Sequence, residues 1–569
     1  MKKRIFYMGI ILFLIAVVAV IFASGKTNIY RQIRLADEVI TTIYSEYVDP
    51  IDYRKLIKGA IDGMTSTLDP HTVFFTPKEY KELQVDTRGK FGGLGIQIGL
   101  RDKWLTVISP IEGTPAYRMG IQAGDRIIKI EGKSTKGITT EEAVAKLRGE
   151  PGTKVTITIQ REGEPKPFDV TIVRDIIEIK PVPYYGMVDD DIGYIRLTQF
   201  SQEAGDEVKN ALLDLQQQGA KKIIFDLRSN PGGLLSQAVS VASQFLGADA
   251  LVVYTKGRTE YQSREYYTEN EGVFSDGPLI VLINGGSASA SEIVTGAIQD
   301  HDRGVVLGMQ SFGKGLVQSV RPMADGTALK ITTAKYYIPS GRCIQKEYYL
   351  KSKNSSIISD TLNYNPDEED PWDFETTPSD TDTTEEKPLY YTKGGRKVYG
   401  GGGIAPDVKF EPRKLKKLEF DLVSKGLFFE FAVHYVATHK GKLKSPDFEV
   451  TDDMLAEFKK FIKQKDFEYK SRAELILEEL DSVAREDSIS DTTMQIVENL
   501  RNRLTVEEKL DFQRSKKFIK REIKRQLIQA IWGEKERYRF DLKNDETVQK
   551  AIEVLNKPGE YESYLTVKK

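Results

Sequence analysis

The sequence is poor in the residues that form disulfides and transition-metal sites. Cys343 is the only cysteine among 569 residues, so an intramolecular disulfide is excluded and stability cannot depend on one. No cluster of cysteine and histidine has zinc-binding spacing, and His434 and His439 are five positions apart rather than four. We expect neither a metal nor a cofactor, and we interpret Cys343 as a packing residue rather than a nucleophile.

The sequence also lacks an excess of charge of either sign. It has 82 lysines and arginines against 84 aspartates and glutamates, which gives a formal net charge of -2. Nucleic-acid-binding domains are usually strongly basic, so we expect no nucleic-acid partner. The chain is 40% hydrophobic, which excludes a wholly disordered protein, and its length predicts two to four domains.

The first residues combine a basic start with an apolar run. "MKKR" precedes Ile5 to Ala23, which carry no charge and as a helix would nearly span a bilayer core. The apolar part of a cleaved signal is usually shorter, and Ile21 and Ala23 make a poor cleavage site. Residues 1–26 therefore predict a membrane anchor, with a cleaved signal as the alternative. The basic flank predicts that the remainder is exported.

The rest of the chain divides by hydrophobic period. Residues 27–87 have apolar positions at helical spacing, which predicts helices. Residues 88–178 predict short strands separated by glycines, with one helix that Thr139 or Thr140 would cap. From 179 to 350, strands alternate with helices, which predicts a layered α/β domain.

The remaining chain has three parts. Residues 351–395 are acidic and rich in Ser, Thr and Pro, which predicts a disordered insert. Structure resumes over 396–411, and 412–569 form a charged helical region. The sequence leaves open whether the insert or the helical region carries a partner site, a regulator or only solubility.

Three loops in the α/β region follow predicted strands: "RSNPGG", "NGGSASASE" and "MQSFGKG". Chemistry in α/β sheets gathers at the carboxyl ends of strands, so these loops are the candidate site. The last loop fits the G-x-x-x-x-G-K part of a nucleotide-binding motif from Gly308 to Lys314. Gly315, however, stands where Ser or Thr would hold magnesium.

Ser289 has two interpretations. With Glu292 it forms an S-x-x-E capping box at the start of a helix. Alternatively it is a nucleophile in a tight turn at the positive end of that helix, where oxyanion charge is stabilised. A nucleophilic serine needs a base. His301 lies at the far end of the same helix, about 18 Å away at helical rise, so a Ser-His pair is not expected.

Lys314 is the alternative base. A lysine acts as a base only when neutral, which requires burial to depress its pKa from about 10.4. Gly313 and Gly315 flank it, with apolar Phe312 and Leu316 beyond them, and this setting would let it turn inward. A surface lysine in a glycine turn is the alternative.

Together these motifs resemble the C-terminal processing (tail-specific) serine proteases. The resemblance runs from about residue 30 to 411 and rests on "DLRSNPGG", "GGSASASE" and "FGKGLVQ" in that order. It implies an α/β protease core with a mixed sheet of the ClpP and crotonase kind, an inserted PDZ domain and no cofactor. It assigns Ser289 as nucleophile, Lys314 as general base and Gln318 as the group that orients the lysine. The implied oxyanion hole is a backbone N–H of Gly232 or Gly233 together with that of Ala290.

The same resemblance assigns a second site to the β-rich block. "GGLGI" would be the carboxylate-binding loop of the PDZ domain, formed by Gly93, Leu94, Gly95 and Ile96. There the tail of a substrate would add as a strand; a purely structural role of these glycines is the alternative. Arg148 is expected to face the active site and to couple tail binding to catalysis.

We therefore expect an endopeptidase that is anchored in the inner membrane, faces the periplasm and binds protein substrates by their free C-terminal tails. A homo-oligomer or an adaptor is left open. The alternative function is a noncatalytic PDZ scaffold of the cell envelope, against which the intact Ser, Lys and Gln set argues.

Overall fold

The computed structural model describes residues 29–346, 387–487 and 489–567. The predicted anchor at residues 1–26 and most of the predicted insert lie outside this range. Within it the chain divides into two compact units. The smaller comprises residues 29–81 and 317–333, and the larger comprises the rest. None of the helices in the described ranges is both long enough and apolar enough to cross a membrane.

Strands and helices of the described residues are numbered in chain order. The strands are β1 Val73–Phe75, β2 Lys90–Gly93, β3 Ile96–Arg101, β4 Trp104–Pro110, β5 Arg126–Ile130, β6 Lys133–Ser134, β7 Lys154–Gln160, β8 Phe168–Val173, β9 Asp175–Glu178, β10 Tyr184–Asp189, β11 Ile192–Arg196, β12 Lys222–Asp226, β13 Leu251–Gly257, β14 Glu265–Tyr267, β15 Leu279–Ile283, β16 Val305–Gly308, β17 Leu316–Pro322, β18 Ala328–Tyr337, β19 Leu389–Tyr391, β20 Lys397–Tyr399 and β21 Val408–Lys409. The helices are α1 (29–46), α2 Tyr53–Ser66, α3 Pro77–Arg88, α4 Pro115–Arg118, α5 Thr140–Leu147, α6 Ala204–Gln217, α7 Leu235–Ala242, α8 Ala290–Asp300, α9 Lys417–Ser424, α10 Leu427–Thr438, α11 Asp452–Gln464, α12 Arg472–Glu486, α13 Asp491–Arg514, α14 Lys516–Asn544, α15 Glu546–Leu555 and α16 Pro558–Leu565.

The smaller unit contains the predicted N-terminal helices and a short antiparallel sheet. Helix α2 begins after Asp52, whose carboxylate accepts the N–H of Arg54 and so caps the first turn. Strand β1 pairs with the first part of β18, with Val73 opposite Lys330. Strand β17 pairs with β18 as well. The helical pattern of the sequence therefore predicted α1 and α2, and the break at "DPHT" precedes β1.

The β-rich block folds as the first part of the larger unit. Its sheet has the order β3-β4-β5-β7-β8, with β6 on β5 and a separate β2–β9 pair. Alternate residues of β7, namely Val155, Ile157 and Ile159, are fully buried in the core of this domain. Helix α5 begins with a capping box between Thr139 and Glu142, so Thr139 rather than Thr140 is the cap.

The α/β region forms a six-stranded sheet in the order β10-β11-β12-β15-β16-β21. Strand β10 is antiparallel to β11, whereas the other neighbours are parallel. Strands β12, β15 and β16 are apolar and buried, as parallel strands covered on both faces must be. On one face Phe225 packs against Phe245, next to the layer that contains α7 and α8.

The opposite face of this sheet is covered by the end of the chain. Ile224, Ile280 and Leu282 pack against apolar residues of α15 and α16. The Tyr561 hydroxyl accepts the N–H of Leu279 (2.9 Å) and donates to its carbonyl oxygen (3.2 Å). We predicted α15 and α16 as part of the separate helical region 412–569. In the structure they form a layer of the α/β core.

The preceding helices have a core of their own. Aromatic rings of α10, α11 and α14 meet there, and the rings of Phe428 and Phe458 stack at 5.1 Å. Helix α10 also lies against the β-rich domain, where His434 Nδ1 is 2.7 Å from Glu162 Oε1. The helical prediction for this region is confirmed over the described residues.

Candidate active site

The three candidate loops meet at one edge of the sheet. Strands β12, β15 and β16 are parallel neighbours, so their carboxyl ends lie side by side. The loops are cross-linked: Ser287 Oγ donates to the carbonyl of Leu227 (2.8 Å), and the N–H of Phe312 donates to the carbonyl of Ser287 (3.0 Å). The sequence-based expectation that these loops come together is confirmed.

Ser289 lies at the start of α8 in a strained conformation. Its φ is 55° and its ψ is -113°, a region that a non-glycine residue rarely occupies. The residue is half-buried, and the N-terminus of α8 follows it directly. A strained serine between a strand and a helix N-terminus is the arrangement that presents a nucleophile in α/β hydrolytic enzymes.

Glu292 caps α8 and at the same time reaches the lysine loop. Its Oε2 accepts the backbone N–H of Ser289 and that of Lys314, each at 2.9 Å. Its Oε1 accepts the N–H of Gly313 (2.7 Å) and the hydroxyl of Ser311 (2.5 Å). The capping interpretation is therefore correct for Glu292, and the same carboxylate joins the two loops.

The environment of Glu292 changes its acidity. The side chain is completely buried, and this burial raises its pKa to about 7, although the four hydrogen bonds oppose the shift. Because four donors surround it, this buried carboxyl group can still ionise. A buried carboxyl group without hydrogen-bond partners would stay neutral.

Tyr336 on β18 forms a second link between the same residues. Its hydroxyl contacts the carbonyl oxygens of Ser289 (3.1 Å) and Lys314. The ring is 1% exposed, and burial raises the pKa of the phenol well above its usual value, so it stays a hydrogen-bond donor. Lys314 itself is half-buried. Ser289 and Lys314 are thus held side by side through both their N–H and their carbonyl groups.

Gly232 brings the first loop against the nucleophile. Its φ is 100°, and a Cβ there would lie 2.8 Å from both the Ala288 carbonyl oxygen and Ser289 Cβ. The N–H of Gly232 donates to Asn230 Oδ1 (2.9 Å). In the part of the chain that the structure describes, the N–H groups of Gly233 and Ala290 donate to no other residue. Of the two glycines in the predicted oxyanion hole, Gly233 therefore has the available N–H.

Gln318 is the third predicted catalytic residue, and the structure places it on β17 in the smaller unit. Its role toward Lys314 stays a prediction. His301 follows α8 at its far end, where Nε2 is 2.7 Å from the Leu251 carbonyl oxygen, so it is engaged away from Ser289. No group of three or more metal-ligating side chains occurs in the described ranges.

The predicted carboxylate-binding loop, residues 93–96, forms a tight turn between β2 and β3. Gly95 has a φ of 77°, and a Cβ there would clash with Thr114 at 2.2 Å. Gly93 and Ile96 end and begin the two strands. Within the described chain, the N–H groups of Leu94 and Gly95 donate to no residue, so two adjacent donors are available for an anion.

Arg148 follows α5, and its guanidinium lies 4.3 Å above the ring of Phe91. It lines a cleft of about 1910 Å³ together with Ile96 and with Tyr185 of the edge strand β10. The structure thus places Arg148 on the same cleft as Ile96 of the predicted carboxylate-binding loop, and its coupling to catalysis stays a prediction.

Sequence reasoning missed two groups at this site. Tyr336 lies in "AKYYIPS", where nothing in the local pattern distinguishes it from a packing tyrosine. Arg228 precedes the "SNPGG" loop, and its guanidinium binds both Asp226 (2.6 Å) and Asp545 (2.8 Å). Asp226 is buried, yet Arg228 and Arg196 hold its pKa at about 2. A charged residue two positions after a buried strand was the available signal for Arg228.

Three parts of the chain match the models of known protein families. Residues 191–351 match the model of peptidase family S41, residues 106–161 that of a PDZ domain, and residues 418–555 that of a probable PDZ-protease C-terminal helical domain. A carboxy-terminal-processing protease of Bartonella bacilliformis is 43% identical over 351 residues, which are 60% of this chain and 80% of that protein. The chain belongs to the carboxy-terminal-processing proteases.

Two further proteins are similar to this carboxy-terminal-processing protease. The carboxyl-terminal-processing protease of Synechocystis is 40% identical over 305 residues, covering 52% of this chain and 70% of that protein. A solved photosystem II D1 C-terminal processing protease is 30% identical, with a TM-score of 0.33 and coverage of 54% of this chain and 82% of that one. The chain is thus a serine-type peptidase with a PDZ domain, a mixed α/β core and a helical C-terminal region.

Proposed function

We propose that this protease is an exported endopeptidase that cleaves with a Ser289–Lys314 dyad and holds substrates by their C-terminal tails. The observation that carries the proposal is that the same two side chains contact both Ser289 and Lys314. Glu292 accepts the backbone N–H groups of both residues, and the Tyr336 hydroxyl contacts both of their carbonyl oxygens. The apolar segment Ile5–Ala23 supports an anchor in the inner membrane with the catalytic part in the periplasm.

The proposed chemistry uses these groups in turn. The neutral amine of Lys314 takes the proton of the Ser289 hydroxyl as Oγ attacks the scissile carbonyl carbon. The oxyanion that forms accepts the N–H groups of Gly233 and Ala290, at the positive end of α8. The protonated lysine then gives its proton to the leaving amine, and water attacks the acyl-enzyme by the reverse route.

The PDZ domain would supply affinity without taking part in the chemistry. A terminal carboxylate accepts the N–H groups of Leu94 and Gly95, and the tail adds to β3 as a strand. Gln318 would orient the Lys314 amine, and Arg148 would respond to the bound tail. An oligomer or an adaptor protein is compatible with this function.

The direct test uses the fragment from residue 27 and its Ser289→Ala variant. The fragment should cleave an unfolded protein that has a free apolar C-terminus, with unchanged rate in a chelator, whereas Ser289→Ala should bind the same protein without cleaving it. Binding without cleavage by both proteins would instead identify a noncatalytic PDZ scaffold. Loss of activity in a chelator, restored by zinc, would contradict the lysine-based mechanism.

A further inference from the structure

Two fully buried side chains that are not part of the proposed dyad contact both of its members. The Glu292 carboxylate accepts the N–H groups of Ser289 and Lys314 on a single oxygen, Oε2. The Tyr336 hydroxyl faces the carbonyl oxygens of the same two residues. Ser289 and Lys314 lie on different loops, after β15 and β16, so these contacts cross from one loop to the other.

We propose that Glu292 and Tyr336 are positioning residues that together set the distance between the Ser289 hydroxyl and the Lys314 amine. The proposal rests on the Ser289–Lys314 function and deepens it. Neither side chain touches the substrate or moves a proton. Each instead fixes the backbone of the nucleophile relative to the backbone of the base, on opposite polar groups of the two residues.

Glu292 suits this role because all its hydrogen-bond partners are donors. Oε2 receives two backbone N–H groups, and Oε1 receives the N–H of Gly313 and the hydroxyl of Ser311. Ser311 Oγ in turn accepts the N–H of Ile404 (2.6 Å), so its proton is committed to the carboxylate. A glutamine has one oxygen and one NH₂ group, and in either orientation the NH₂ group would face two donors. Only the carboxylate satisfies both loops.

Tyr336 complements Glu292 because its hydroxyl is a donor that faces two carbonyl acceptors. The carbonyls of Ser289 and Lys314 both point at its hydroxyl, and no charge is brought into the buried site. Removing the hydroxyl leaves the ring, and therefore the packing, in place. Phenylalanine at this position would allow the two carbonyls, which repel each other, to move apart.

The consequence should appear in catalysis rather than in binding. Proton transfer and attack require the reacting atoms at about 3 Å, and a displacement of about 1 Å costs on the order of 100-fold in rate. The PDZ loop is not altered by either substitution, so substrate affinity should be retained. We therefore expect kcat to fall and KM to stay the same.

The test compares Tyr336→Phe with Tyr561→Phe as a matched control in the fragment from residue 27. Tyr561 is also a buried tyrosine whose hydroxyl makes two hydrogen bonds, to the N–H and carbonyl of Leu279. Leu279 begins β15, and Ser289 follows the opposite end of that strand. Both variants should lose similar thermal stability. Tyr336→Phe should lower kcat by about 10- to 100-fold at unchanged KM, whereas Tyr561→Phe should retain kcat.

A second readout follows the reactivity of Ser289 directly. A fluorophosphonate probe phosphonylates the nucleophilic hydroxyl with loss of fluoride, and it needs no bound tail. Glu292→Gln and Tyr336→Phe should both slow this labelling, with Glu292→Gln showing the larger effect because it removes one oxygen that accepts two hydrogen bonds.

The outcomes separate this proposal from the proposed function. If the unsubstituted fragment cleaves and Tyr336→Phe matches Tyr561→Phe in both kcat and labelling, the positioning role is wrong while the dyad stands. If Glu292→Gln does not fold, Tyr336→Phe alone decides. If the unsubstituted fragment neither cleaves nor labels at Ser289, the proposed function itself is wrong.

Discussion

At the scale of single residues, the site combines a strained serine with two buried side chains that hold it. The conformation of Ser289 costs roughly 1–3 kcal/mol for a non-glycine residue, so surrounding contacts must maintain it. The bonds of its N–H to Glu292 and its carbonyl to Tyr336 are such contacts. Rigid placement of a reactive group at the expense of stability is typical of catalytic sites.

The base can be tested by substitution of Lys314. Lys314→Ala should lower cleavage by a factor on the order of 10³ or more, and adding Ser289→Ala should lower it little further, because the two residues act as one unit. Lys397→Ala, which removes an exposed lysine of β20 in the same unit, should retain activity. Near-normal turnover by Lys314→Ala would show that another group is the base.

Glu292 predicts a dependence of stability on pH. Its pKa rises from 4.5 to about 7 in the folded protein because of burial, so the folded state holds a proton that the unfolded state releases. The free energy of unfolding should therefore decrease as the pH rises from about 4.5 to 7, by roughly 3 kcal/mol from this group alone. Denaturant unfolding of the fragment and of Glu292→Gln should diverge across this range. Parallel pH profiles of the two proteins would contradict the assignment.

At the scale of elements, the loops of the site were predictable and their supports were not. The "GGSASASE" and "FGKG" loops follow apolar strands, so local pattern alone placed Ser289 and Lys314 at one sheet edge. Tyr336 reaches the site from β18 through packing that depends on the whole domain. The same holds for Asp545, which lies 317 positions from Arg228 in sequence. Contacts of that separation leave no local periodicity.

The position of helix α15 predicts a link between the C-terminal helices and the loop that contains Gly233, the predicted oxyanion donor. Asp545 caps α15 by accepting the N–H groups of Thr547 and Val548, and it binds Arg228, which leads into the loop with Gly233. Asp545→Asn keeps a capping side chain and removes the charge. We expect a loss of about 1–2 kcal/mol in the free energy of unfolding and a fall in kcat of about 3- to 10-fold.

The control for this link is Glu553→Gln, on the same helix. Glu553 forms ion pairs with Lys550 and Lys557 that are about half-exposed, and such pairs contribute little. Its variant should unfold and cleave like the unsubstituted fragment. If Asp545→Asn cleaves equally well, the loop that contains Gly233 does not depend on the C-terminal helices.

At the scale of the whole molecule, the PDZ domain has contacts beyond its own core. Gly124 and Glu162 lie against Val433 and His434 of α10, so part of the PDZ surface is covered by the helical region. Sequence reasoning separated the two regions by their periods, but it could not predict that they contact each other. Ile96, the last residue of the predicted carboxylate-binding loop, lines the same cleft as Arg148.

This placement leads to a prediction about substrate tails. The N–H groups of Leu94 and Gly95, which donate to no residue in the described ranges, would give a terminal carboxylate charge-assisted hydrogen bonds. An amidated tail cannot form these bonds equally well. Two peptides that differ only in a free or amidated C-terminus share the same scissile region. The free acid with an apolar last residue should therefore be cleaved with a kcat/KM about 10-fold higher.

The matched variant for that comparison is Gly95→Val. Gly95 has a positive φ and no room for a Cβ beside Thr114, so valine should displace the loop and leave the sheet edge around Ser289 unchanged. The variant should cleave both peptides at the rate of the amidated one, because the carboxylate no longer finds its donors. Equal cleavage of the two peptides by the unsubstituted fragment would show that residues 93–96 do not bind the terminal carboxylate. A preference that survives in Gly95→Val would place the carboxylate site elsewhere on the protease.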